Sequence, residues 1–342
     1  MTPTLPWRAL VSADAGASRK PVVAYLLAAS HSGSTLLAML LASHPDVCTT
    51  GELKATSLGD PDRYRCSCGS LIRQCPFWND VAARMGARGQ PFDITRADTH
   101  ISSGATPYVQ KLLRPLVRGP ALEALRSAAL SVTPSWHKRL AQFHALNDSL
   151  VRSVCDITGA RVVVDSSKIG IRLKYLLRNP GLDVRVIRVI RDGRAVALTY
   201  TDPANFADAA APHLRGGGDG QSRERERLSP LDAAHEWRRS NEEAAAIVSR
   251  LDPSRFTTVS YEDVCADTPG TLSRLWEFLG VPPFRFGEGW RARNHHVIGN
   301  GMRLDSTEEV RLDERWKTAF PPAALEIFEA EAGALNRRLG YR

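Results

Sequence analysis

Short apolar, β-branched runs alternate along the chain with stretches of helical spacing. Val22–Leu27, Arg161–Val164 and Val184–Ile190 have the length of strands and little polar alternation, and Phe256–Ser260 is similar. Strands without a polar face are buried on both sides, as in parallel sheets. Between them, apolar residues recur with helical period over Ser34–Ser43, Leu173–Leu177, Ala195–Tyr200 onward and Leu231–Ser249. The alternation predicts an α/β fold: a doubly wound parallel sheet with helices on both faces and a P-loop-like strand-turn-helix at its start. Ligands of such sheets sit beyond the carboxyl ends of the strands, so the residues just after each strand carry the chemistry.

Two stretches break the rhythm. Residues 79–150 are mostly helical in pattern with Pro and Gly breaks, which predicts a helical insertion over the sheet. Residues 202–230 contain GGGDG and RERER and few large apolar side chains. They predict a mobile loop, serving either as a lid or as a plain connector. Residues 1–20 lack the apolar core of a signal peptide and are expected to be a flexible lead-in to one α/β domain over 21–342. No internal repeat is present.

Composition narrows the class. At 342 residues, 43% hydrophobic and 24% charged, the chain can bury a large core without disulfides or metals. No apolar run approaches the roughly 18–20 residues that span a bilayer, so a cytoplasmic location without a membrane span is expected. The net charge of +8 calls for an anionic partner. The arginines are dispersed, and no zinc-finger, RNP or helix-turn-helix pattern occurs, so nucleic acid is not the expected partner. Oligomeric state leaves no mark in the sequence.

Of six cysteines, Cys48, Cys155 and Cys265 stand alone as small core residues. Cys66, Cys68 and Cys75 cluster in YRCSCGSLIRQCPFW. Three thiols so close suit zinc if a fourth ligand comes from elsewhere, or a disulfide, but C-x-C-x6-C is not a standard metal spacing. The reading taken is a reduced local packing unit.

The first strand runs into A-A-S-H-S-G-S-T, Ala28 to Thr35, which aligns with the phosphate-loop pattern G-x-x-x-x-G-K-[ST]. Gly33 and Thr35 match; Ala28 replaces the first glycine and Ser34 the lysine. Amides at the start of the following helix still favour an anion. What is lost is the charge that grips a terminal phosphate, so the loop suits a shorter or diester-like anion better than a triphosphate with magnesium. A simple helix cap by Ser, Gly and Thr is the alternative. The second strand leads into VVVDSSK, ending at Lys168, and the third into RDGRAVALT, with Arg191 at the strand end and Thr199 eight residues on. An arginine there can hold a phosphate bidentately.

S-G-S-T-L-L paired with R-D-G-R-x-x-x-x-T resembles the sulfotransferases that use 3′-phosphoadenosine 5′-phosphosulfate (PAPS). The resemblance implies that Ser32, Gly33, Ser34 and Thr35 cradle the 5′-phosphosulfate while Arg191 and Thr199 hold the 3′-phosphate, with Thr in place of the family's usual Ser. VSYEDV is similar to a segment whose tyrosine lies near the adenine, here Tyr261. LSRLWEFLGVP resembles the helix after it. HVIGNGMRLD resembles a late loop, G-N-P-x-R, that closes over the nucleotide, with Gly301 where proline is common and Arg303 as a further anion contact. GEL at Gly51 and the C-x-C-G…C-P-F-W block recur in bacterial members. One departure is His31, where the family usually has Lys or Arg to stabilise the transferring sulfuryl group; histidine does so when protonated or as a neutral donor.

Sulfuryl transfer to a hydroxyl-bearing acceptor needs a base for the hydroxyl and positive groups for the sulfuryl and leaving oxygens. No metal is expected. Glu52 is the preferred base by likeness to a G-E segment in the protein-tyrosine branch, with His31, His295 and His296 as alternatives. Lys168 is expected to neutralise the bridging oxygen, unless Asp165 or Ser166 of D-S-S-K merely caps the next helix. Asp192 and Arg194 are expected as local supports, and Trp78 and Trp237 as buried core. A carbohydrate, a small natural product and tyrosine all remain open as acceptors. The alternative activities are a nucleotide kinase or NTPase, for which Asp165 is the one plausible magnesium ligand, and a non-enzymatic polyanion binder.

Overall fold

The computed structural model describes residues 20–54, 58–96, 99–114, 119–215, 226–291, 296–305 and 307–342. Its elements run β1 (Val22–Ala28), α1 (Ser34–Leu41), β2 (Val47–Gly51), α2 (Pro76–Ala87), α3 (Pro107–Leu112), α4 (Pro120–Ser131), α5 (Pro134–Thr158), β3 (Val162–Lys168), α6 (Gly170–Leu176) and β4 (Asp183–Ile190). They continue with α7 (Gly193–Thr201), α8 (Pro203–Phe206), α9 (Pro230–Val248), β5 (Phe256–Ser260), α10 (Tyr261–Ala266), α11 (Thr268–Leu279), α12 (Trp316–Ala319) and α13 (Pro322–Arg338).

The five strands form one parallel sheet in the order β2-β3-β1-β4-β5. Side chains of VVAYLLA point alternately to the two faces and are apolar on both, which suits β1 to the middle of the sheet. Val23, Tyr25 and Leu27 feed a core shared with α2, α5 and α6. Ala24, Leu26 and Ala28 feed the opposite core, built on α1 and α11. A sheet covered on both faces is the doubly wound α/β arrangement expected. A third apolar cluster joins α7, α9 and α13 around Trp237 and Phe328. Trp78 and Trp237 are both fully buried, as expected of core.

The structure departs from the sequence reading in three places. V-C-T-T-G, not among the strands the sequence pattern predicts, is the edge strand β2; it is short and threonine-rich, with too little apolar pattern to stand out. Strand β3 does not stop at Val164 but continues through Asp165, Ser166 and Ser167 to Lys168. These polar residues are buried, and Asp165 and Ser167 have hydrogen-bond partners that keep them in the sheet. Ile169, rather than Asp165 or Ser166, precedes α6, so the helix-cap alternative for D-S-S-K is overturned.

Helices α2 to α5 supply the helical pattern of residues 79–150, with α5 running on to Thr158. In the segment read as a mobile loop, α8 and a 3-10 turn at Pro212–Leu214 are formed, while residues 216–225 lie outside the described residues. The lead-in lies outside them too, apart from Lys20. Among the described residues no helix is long and apolar enough to cross a membrane.

Candidate active site

The carboxyl ends of β1, β2, β3 and β4 open onto one cleft of about 990 Å³, large enough for a nucleotide. Of the expected site residues, His31, Gly33, Ser34, Thr35, Glu52, Lys168, Arg191, Thr199 and Tyr261 line it, and Ser32, His296 and Arg303 do not.

After β1 the chain turns sharply through His31 (φ 62°) and Gly33 (φ 81°) into α1. Gly33 is required here: its φ is left-handed, and a Cβ would lie 2.4 Å from Cδ2 of Tyr261, whose ring packs against the loop. As N-cap it offers no side chain to the first-turn amides of α1, which leaves them available to an anion. Ser32, Ser34 and Thr35 are buried, and the Ser32 hydroxyl finds no partner among the described residues. An orphaned buried hydroxyl in an anion-ready turn is a donor held in reserve.

Lys168 ends β3 at φ 68°. Among the described residues, His31 and Lys168 are the non-glycine residues with positive φ, a conformation that costs about 1–3 kcal/mol and clusters at functional sites. The Lys168 ammonium donates to Glu52 Oε1 at 2.5 Å and to the Ser166 carbonyl at 3.0 Å. Lys54 reaches the other oxygen of Glu52 at 3.0 Å. Burial alone raises the Glu52 pKa, but the two ammonium groups outweigh it and hold the carboxyl at about 2.

A buried network fixes this geometry. Asp165 and Arg172 are fully buried and paired at 3.1 Å. Asp165 also accepts from the amides of Leu53 (3.2 Å) and Ser167 (3.0 Å), so one carboxylate ties the residue after Glu52 to the residue before Lys168. Arg172 further donates to Asn147 Oδ1 at 2.7 Å. With its oxygens committed in this way, Asp165 is not the free strand-end acid a magnesium nucleotide would need.

At the end of β4, Arg191 donates to the His31 carbonyl at 2.7 Å and to Asp313 Oδ2 at 2.9 Å, and its guanidinium lies 4.4 Å from the centre of the Tyr261 ring. Its Nε has no partner among the described residues. Burial raises the Asp313 carboxyl, yet Arg315 and Arg191 together hold it well below the usual carboxylate range. Thr199 lines the cleft while its hydroxyl donates to the Ala195 carbonyl at 2.9 Å. Asp192 caps α7 and pairs with Arg194 at 2.8 Å, the supporting role expected.

Arg303, expected to contact an anion, has another occupation. Buried beside the Tyr64 ring, it donates to the carbonyls of Gly299, Asn300 and Arg65, bracing the late loop from behind. His296 is not on the cleft wall either; its Nδ1 faces Cys66 and Cys75. That leaves Glu52 and His31 facing the cleft, while His295 lies outside the described residues. The late loop is joined to β2: Ile298 and Thr50 or Glu52 exchange backbone hydrogen bonds, and a Cβ on Gly51 would meet the Ile298 oxygen at 2.0 Å.

Sequence reasoning missed Lys54, although G-E-L-K places it two residues from Glu52, a same-side spacing in extended chain. It also missed Asp313 and Tyr200, whose ring meets His31 edge-on at 4.7 Å. Neither belongs to a recognisable motif.

Residues 183–285 match the family model described as "Sulfotransferase family". The chain is 27% identical over 173 residues to human carbohydrate sulfotransferase 3, covering 50% of this chain and 36% of that protein. It is 26% identical over 205 residues to human carbohydrate sulfotransferase 6, covering 57% and 51%. The matches thus span from about a third to about half of the length of these curated relatives. The sulfotransferase domain of the Synechococcus PCC 7002 olefin synthase shares the fold, with a TM-score of 0.51 at 19% identity over 96% of this chain and 98% of that one.

Proposed function

We propose that this chain, a member of the sulfotransferase family, moves the sulfuryl group of PAPS to an acceptor hydroxyl by in-line displacement. The observation that carries the proposal is the convergence on one cleft of the lysine-free loop after β1, Lys168 after β3 and Arg191 with Thr199 after β4. The loop amides and the Ser32 hydroxyl suit the 5′-phosphosulfate. Arg191, with an uncommitted Nε and its face on Tyr261, suits the 3′-phosphate, and Tyr261 suits the adenine side.

In the reaction the acceptor oxygen attacks sulfur, and the bond from sulfur to the bridging oxygen breaks. 3′-Phosphoadenosine 5′-phosphate leaves with the electron pair. Lys168 neutralises the charge that develops on the bridging oxygen. As Lys168 turns to that oxygen, Glu52 loses its strongest cationic partner, its pKa rises, and it becomes able to take the hydroxyl proton. His31 is the second candidate for the proton and, in the position of the family's basic residue, a donor to the sulfuryl oxygens.

The acceptor we favour is a carbohydrate hydroxyl, on the strength of the relatives' names and of the polar residues Asn205, Asp208 and Glu226 at the cleft wall. A nucleotide kinase is disfavoured because Asp165 is locked onto Arg172. Thermal shift with 3′-phosphoadenosine 5′-phosphate and with ATP-magnesium tests the nucleotide; a larger shift with the triphosphate overturns the reading. PAPS labelled in the sulfuryl group, offered with oligosaccharides, tyrosyl peptides and phenols, tests the acceptor. Label confined to the peptides or phenols overturns the carbohydrate assignment alone.

A further inference from the structure

The cysteine cluster expected as a reduced packing unit has a partner the sequence did not reveal. His296 brings its Nδ1 to 3.7 Å from Cys66 Sγ and 3.4 Å from Cys75 Sγ, while Cys68 and Cys75 Sγ lie 3.7 Å apart. The four ligand atoms all fall within 4.8 Å of one another. We propose that Cys66, Cys68, Cys75 and His296 form a four-coordinate zinc site that fastens the late loop to the segment preceding α2.

The separations fit zinc. With Zn–S of about 2.3 Å and Zn–N of about 2.0–2.1 Å, a tetrahedron has S–S edges of about 3.8 Å and S–N edges of about 3.6 Å. The three separations above lie within about 0.2 Å of these edges, and the other three are no longer than 4.8 Å. A disulfide would bring two sulfurs to about 2.05 Å and leave the third thiol and the imidazole without a role.

The scaffold is built for such a site. Cys66 and Cys68 both lie in a tight turn, in which the Cys66 amide donates to the Ser70 carbonyl and the Gly69 amide to the Cys66 carbonyl. Arg65 and Leu71 pair as an antiparallel bridge that closes it. Cys75 follows at the start of α2. The imidazole of His296 is held flat on the Phe77 ring, with centroids 4.4 Å apart and planes within 2°. Ser67 and Val297 exchange two hydrogen bonds, Ser67 N to Val297 O at 3.2 Å and Val297 N to Ser67 Oγ at 2.9 Å.

Four protein ligands close the coordination sphere, the mark of a structural rather than a catalytic zinc. Binding three thiolates and a neutral imidazole releases the thiol protons and gives a complex of net charge −1. The site lies one residue before Val297 and Ile298, which lead into the pairing with the Glu52 segment. It therefore anchors one wall of the cleft without touching the cleft itself, and it stands independently of the activity proposed above.

The test is metal analysis of the full chain purified from zinc-replete cells, together with its intact mass. The expected result is about one zinc per chain, retained through gel filtration, with all cysteines in the thiol or thiolate form. Replacement by cobalt(II) should give the strong d–d absorption of a tetrahedral thiolate site. Cys68→Ser, at the exposed ligand, should lower retained zinc at least about tenfold, whereas His296→Cys should keep it in a site of four thiolates. Wild-type chain without stoichiometric metal, or lighter by the two hydrogens of a disulfide, overturns the proposal whatever the variants do. Zinc undiminished by Cys68→Ser overturns the ligand assignment.

Discussion

Lys168 and Glu52 hold each other on the cleft wall, ammonium to carboxylate at 2.5 Å, from the ends of two neighbouring strands. Each is the other's stabilising charge, and in the proposed reaction a phosphosulfate entering the cleft competes for one of them. Lys168→Ala and Glu52→Gln should each slow transfer by about 10²–10⁴-fold. Both should bind 3′-phosphoadenosine 5′-phosphate within a few-fold of wild type. Single-turnover transfer and calorimetric titration check this; normal turnover in either variant removes that residue from the mechanism.

The same pair sets a pH dependence. The folded Glu52 carboxyl sits at about 2 against an ordinary 4.5. A depressed pKa contributes stability that is fully present above 4.5 and is lost as pH falls towards 2, on the order of 3 kcal/mol in total. The stability difference between wild type and Glu52→Gln, measured by urea unfolding, should shrink as pH drops below about 4.5. On the proposed mechanism, in which PAPS draws Lys168 away from Glu52, the acid limb of kcat should lie at higher pH than that of kcat/KM.

Asp313 occupies the guanidinium of Arg191 at 2.9 Å. In the proposed binding mode a 3′-phosphate displaces or shares that contact. Asp313→Asn leaves the packing nearly unchanged and removes the competing charge, so it should tighten 3′-phosphoadenosine 5′-phosphate binding about three- to tenfold at low salt. Arg191→Ala should weaken it by at least tenfold, about 1.4 kcal/mol. Unchanged affinity in both would take the nucleotide away from β4.

The Asp165–Arg172 pair, fully buried, is structural. Arg172→Ala leaves a buried carboxylate uncompensated and should destabilise the fold by about 3–5 kcal/mol. Denaturant unfolding checks the size. Any surviving folded enzyme should lose kcat more than nucleotide affinity, because Asp165 spaces Glu52 from Lys168 and does not reach the loop after β1.

Much of the site was legible because its parts are contiguous. The turn after β1, Arg191 with Thr199, and Tyr261 each lie within a few residues of a strand, where sequence order and position in space agree. The ion pair was not legible. Glu52 and Lys168 were both picked out, but separately, since they stand 116 residues apart. They meet only because β2 pairs with β3, and β2 was too short and polar to be recognised. Arg303 shows the converse, since a residue in the right motif turned its guanidinium towards backbone carbonyls.

The sequence by itself determined the alternation of elements, the burial of β1 on both faces and the absence of a lysine in the first loop. These follow from side-chain period and local backbone chemistry, which a linear chain carries intact. Tertiary structure alone decided which strand ends face one another and which charges neutralise which. It also brought His296 to the three cysteines, 230 residues beyond Cys66. Strand order in a parallel sheet is set by which apolar surfaces pack together across crossovers, and no local pattern encodes that choice.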